Sequence, residues 1–154
     1  MGTTMQDIIG SIRHSADGLV RNLNAMPADK LNWKPLDAGR SALQMAVECG
    51  VISHSAAKTL NTRQDPVMDM DEYQRIQTDT DTAEKAAALL SQGTDAVIAA
   101  IEAFPAEHID GKVKMPWGQE ITFGDLMKLI HWNNVYHTGQ IAYIQTLYGD
   151  KEMH

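Results

Sequence analysis

Long stretches of the chain return an apolar residue every three or four positions, and short stretches broken by proline, glycine and acidic residues separate them. That step matches the 3.6-residue turn of an α-helix, so each long stretch predicts a helix with one face turned to a core. From about Thr4 to Ala25 the face is Ile8, Ile12, Ala16, Leu19 and Leu23. Thr3 or Thr4 is placed to cap its start. Met26-Pro27 ends it, because a residue before proline is pushed out of the helical region. A second helix starts behind Ser41 and reaches about Leu60. A third spans about Thr82 to Ala103, with Ala86, Leu89, Leu90, Val97, Ile98 and Ile101 on its buried face and Gly93 weakening it slightly. The last opens on Thr122 with Asp125 three residues on, a variant of the capping box, and runs to about Tyr148, where Gly149 is placed to stop it.

The intervening segments read differently. LNWKPLDAGR, residues 31–40, holds Pro35 and Gly39 and is non-helical, with Trp33 expected to plug one end of the core. Residues 61–80 are polar, contain Pro66 and show no period, so they read as a loop long enough for a crossover. Met68, Met70 and Tyr73 are then expected to fold back onto the bundle. Alternation in KVKM and in QEITF, on either side of Pro116-Trp117-Gly118, predicts a small hairpin. Together the elements predict an all-α four-helix bundle, with residues 1–154 forming a single domain.

Composition narrows the class. A net charge of −7, with 20 acidic against 13 basic residues and no basic stripe, argues against nucleic-acid binding, which begins with phosphate neutralisation by Lys and Arg. No apolar run approaches the ~20 residues of a membrane span, and the N-terminal MGTTMQDIIG lacks a signal-peptide pattern. A single cysteine, Cys49, excludes an internal disulfide. The expectation is a cytoplasmic protein that engages neither nucleic acid nor membrane.

The chemistry lies where polar residues interrupt apolar stripes. On the last helix the steps from Leu126 give Ile130, Asn133, His137, Ile141 and Ile144, which puts Asn133 and His137 on the core side one turn apart, with Gln140 beside them. On the second helix Glu48 lies beside Cys49 in the row Met45, Cys49, Ile52, Ala56. A carboxylate there is expected to pair, neutralise or bind a metal. The same residues also suit a closed hydrogen-bond network with no metal, or a device that fixes helix register. His14, His54, His108, His131 and His154 fall outside this row and read as surface or bundle-edge residues. Cys49 reads as a small buried residue, not a nucleophile.

YHTGQIAYIQTLYGD, residues 136–150, and LNWKPLDAGRSALQMAVEC, residues 31–49, resemble the DinB/YfiT-like family. The resemblance implies a four-helix bundle of up-down-down-up order and a homodimer. It also implies a divalent metal, nickel or zinc, on three histidines, one from helix two and two from the last helix. Carried over by position, His137 matches the third ligand, the second falls on Asn133 and the first on Glu48. Gln140 is then a candidate for the substrate pocket. Only one of the three histidines is present, and an amide oxygen is a poor ligand for zinc or nickel. Two readings follow: a metal-dependent thiol transferase or hydrolase acting with a low-molecular-weight thiol, its metal site degraded, or a non-enzymatic bundle that binds a small molecule or partner in the same polar cavity without metal.

Overall fold

The computed structural model describes residues 4–154. Five α-helices and one hairpin, with three short 3₁₀ turns in the connections, make up its regular structure: α1 (Met5–Asn24), α2 (Ala42–Thr62), α3 (Met70–Asp79), α4 (Ala83–Glu102), β1 (Lys112–Lys114), β2 (Glu120–Thr122) and α5 (Phe123–Leu147). Local chemistry fixes the helix ends. Thr4 caps α1 in a full capping box with Asp7, and the alternative cap, Thr3, lies outside the described residues. Ser41 does the same for α2 with Gln44. Thr122 caps α5 by accepting from the Asp125 amide at 3.0 Å. At its far end Gly149, at φ 99°, lets the Gly149 amide reach the Thr146 carbonyl at 3.1 Å and the Asp150 amide reach that of Gln145 at 3.0 Å. That pair of bonds is a Schellman stop, and the positive φ suits glycine.

The core divides into two apolar clusters. One joins the start of α1, the ends of α2 and α4 and the start of α5, through residues such as Ile12, Leu60, Ile101, Met127 and Ile130. The other joins the end of α1, the starts of α2 and α4 and the end of α5, through Leu19, Leu23, Ala46, Leu90 and Ile141. Only one arrangement meets both conditions: α1 and α5 run one way, α2 and α4 the other. This is the up-down-down-up four-helix bundle. The parallel α2 and α4 pack closest, and two glycines allow it. A Cβ on Gly93 would fall 2.7 Å from the Gly50 carbonyl oxygen, and one on Gly50 would fall 2.8 Å from Leu89 Cγ. Gly93 is therefore a contact point between helices, beyond its cost in helix propensity.

Parallel neighbours need a connection that travels back along the bundle, and residues 63–82 supply it. Here the structure corrects the sequence reading. The segment contains α3, capped by Asp69, whose side chain accepts from the Glu72 amide. None of its residues is buried, so it leaves no core stripe in the sequence. Met68, Met70 and Tyr73 do lie back against the bundle, lining a cleft beside α2, where Met68 and Met70 stay 61% and 49% exposed. Trp33 is 37% exposed and does not plug the bundle end. The hairpin is present, with Val113 opposite Ile121 and a turn in which the Gly118 amide donates to the Met115 carbonyl. Among the described residues no helix is long and apolar enough to cross a membrane.

Candidate functional site

A belt of buried polar side chains crosses the molecule between the two apolar clusters. Ser15 on α1, Ser53 on α2, Thr94 on α4 and Asn133, Asn134 and His137 on α5 are all buried there. Burying a polar group costs free energy unless it is bonded, so each partner matters.

Toward α2 the belt holds the residues singled out by the sequence, and it brings two of them together. His137 is 1% exposed, and its Nε2 lies 3.1 Å from Glu48 Oε1. Its Nδ1 lies 2.7 Å from Gln140 Oε1. A Gln oxygen only accepts, so Nδ1–H donates to it and the Nε2 lone pair faces Glu48. Burial holds the imidazole below its ordinary pKa; the bond to Gln140 opposes this, and the smaller effect of the Arg40 positive charge adds to it. With the Nδ1 proton given to Gln140, two acceptors face each other across 3.1 Å.

Arg40 resolves that conflict. Its guanidinium forms an ion pair with Glu48 Oε2 through Nη1, and Nη2 donates toward His137 Nε2 at 3.4 Å. Sequence reasoning missed this residue. Arg40 lies outside α2, one residue before its cap, so helical periodicity says nothing about where it points. Its contact with position 137 is purely tertiary.

Asn133 lies apart from this pair. Its amide nitrogen contacts Cys49 Sγ at 3.4 Å, within the belt. Cys49 is 1% exposed, and burial pushes its thiol up to about 12 against the opposing effects of Arg40 and Asn133. A thiol in that state is not a nucleophile. Of the remaining histidines, His14, His54 and His108 are exposed, and His131 Nδ1 lies 3.0 Å from the Ser11 carbonyl of α1. His154 lies 2.8 Å from an Asp150 carboxylate oxygen.

Glu48 also lines a cleft of about 680 Å³ between α2, residues 66–76 and the hairpin tip. Val51, Ile52, Met68, Met70, Tyr73 and Trp117 give it a mostly apolar wall. Burial is also the main cause that raises the Tyr73 hydroxyl pKa, and Arg40 partly opposes it.

These donors do not fit a resident divalent ion. Glu48 Oε1 and His137 Nε2 have the separation expected of two ligands on one ion with bonds of ~2.0–2.2 Å. However, both already hold the guanidinium, and Asn133 is turned to Cys49. Among the described residues no group of three or more His, Cys, Asp or Glu side chains could hold a metal.

A four-helix bundle with a polar belt and a cleft opening beside it defines the class of protein. The sequence profile of the DinB superfamily matches residues 12–141, and the chain belongs to that superfamily. No curated protein matches it in sequence. Similar solved structures include YfiT from Bacillus subtilis, described as a probable metal-dependent hydrolase with an unusual four-helix bundle topology. It is 14% identical at a TM-score of 0.80, over 94% of this chain and 87% of that one. A mycothiol-dependent maleylpyruvate isomerase is 9% identical at a TM-score of 0.72; the match covers 92% of this chain but only 63% of the isomerase. A conserved protein from Enterococcus faecalis is 12% identical at a TM-score of 0.72, over 96% and 98% of the two chains. At these identities the likeness shows the fold.

Proposed function

We propose that this chain binds a small, largely apolar molecule in the cleft beside α2, with the Arg40–Glu48–His137 cluster as the polar anchor at its inner edge and no resident metal. The observation that carries the reading is the double role of Glu48, which lines the cleft and is at the same time tied to Arg40 and His137. The cleft volume falls within the range of ligand sites, and an apolar wall with a few convergent polar groups is the usual composition of such sites. Gln140 enters this reading as the residue that fixes the His137 ring and its tautomer, not as a wall of the pocket.

The metal-dependent hydrolase and the mycothiol-dependent isomerase show what the fold supports in other members. A thiol transferase or hydrolase of that kind uses a metal to lower the pKa of a thiol or water. Here a guanidinium holds both facing acceptors, so the binding reading fits the donor set better.

The amphipathic anionic dye 8-anilinonaphthalene-1-sulfonate provides a test. The folded chain should enhance its fluorescence saturably. Val67→Glu with Met68→Glu should remove that enhancement while leaving the melting temperature within a few degrees, since both positions are exposed. Absence of saturable binding, or binding unchanged by the pair, would falsify the proposal.

A further inference from the structure

We infer that Arg40 is a tethered cation in the place of a divalent ion, and that its charge, together with the asparagine at position 133, keeps Glu48 and His137 from holding one. The inference rests on the metal-free reading above and adds a cause to it.

The geometry supports this in three ways. First, a carboxylate oxygen and an imidazole lone pair face each other at 3.1 Å. Two acceptors at that distance repel unless a proton or cation lies against both. The Nδ1–H···Gln140 bond places the imidazole proton on the far side of the ring. Second, one guanidinium satisfies both acceptors, Nη1 on Glu48 Oε2 and Nη2 at 3.4 Å from His137 Nε2. Third, Asn133 is one helical turn before His137 on the same buried face, and two side chains at that spacing can reach one ion. The imidazole is oriented from behind by Gln140, as a ligating histidine is usually oriented by a partner on its other nitrogen. Two donors at an ion-like spacing and an orienting partner are thus in place, and the third donor is missing.

A charged guanidinium repels a divalent ion and occupies its donors, so removing the charge should open the site. Zn²⁺ alone is the probe, measured by calorimetry and by metal content after dialysis. The comparison is between Arg40→Lys with Asn133→His, which keeps the charge, and Arg40→Met with Asn133→His, which removes it. A unit positive charge a few ångströms from a divalent ion predicts at least about 100-fold tighter binding in the second, at one ion per chain. Adding His137→Ala should abolish it. If Arg40→Met does not fold, Arg40→Gln keeps a donor for Glu48 without the charge and takes its place. Equal Zn²⁺ affinity in the Lys and uncharged backgrounds, or binding that survives His137→Ala, overturns the inference. Stoichiometric metal in the unaltered chain instead overturns the reading on which it rests, so the two failures are distinguishable.

Discussion

The two sides of the polar belt on α5 are built from similar residues and arrive at different states. Toward α1, Asn134 donates to Ser15 Oγ at 3.3 Å, Ser15 donates to the Ile12 carbonyl, and His131 meets the Ser11 carbonyl. These groups include no carboxylate or guanidinium and do not line the cleft beside α2. Toward α2, one turn of the same helix presents His137 to a carboxylate and a guanidinium, and the carboxylate opens onto a 680 Å³ cleft. The difference teaches where a buried polar residue points to function. Neutral groups closed on the backbone hold helices in register, whereas charged groups beside a cavity cost more to bury and are the ones the proposed site draws on.

The largest expected effect breaks the α2 side mechanically. Gly93→Ala places a methyl group against the Gly50 carbonyl and forces α2 away from α4, so thermal unfolding should show a loss of about 3 kcal/mol. An unchanged melting temperature would mean the helices are not in close contact there. Next is Arg40→Met, which leaves the Glu48 carboxylate, 21% exposed, without its partner. About 2 kcal/mol should be lost, less than for a fully buried pair, and adding Glu48→Gln should recover most of it. No recovery would show that the loss came from packing instead of charge.

The α1 side should behave in the opposite way. Asn134 Oδ1 is buried without a partner, so Asn134→Leu with Ser15→Ala should be neutral or mildly stabilising, and dye binding in the cleft should not change. A loss of dye binding would join the two sides into one site and end the comparison.

The smallest effect lies at the α5 entrance. Thr122→Ala removes the cap and should cost about 1 kcal/mol. The Thr122 hydroxyl is the main cause that lowers the Asp125 pKa. A depressed carboxylate contributes stability above its ordinary pKa and loses it as pH falls through the lower folded value. Thr122→Ala should therefore flatten the acid limb of the stability curve, as urea melts over a pH series would record.

The four long helices were legible because each leaves an apolar stripe whose residues are now in the two core clusters. Helix α3 left none: its ten residues cover the bundle without entering it, so periodicity had nothing to report. In the candidate site, His137 was legible as a polar break in its stripe and Glu48 as a carboxylate beside one, and their contact follows from the fold. Arg40 was not, because it precedes the α2 cap and meets its partners only once α2 and α5 are packed. The second role of Gly93 was hidden for a related reason: helix propensity registers a missing side chain, not the carbonyl that requires it to be missing.

The central claim is that a guanidinium, not a metal, joins Glu48 to His137. Crystals of the unaltered chain soaked in Zn²⁺, with diffraction recorded on either side of the zinc absorption edge, test it most directly. The account predicts guanidinium density against both side chains and no anomalous peak between them. An anomalous peak bonded to Glu48 and His137, with Arg40 displaced, would contradict it.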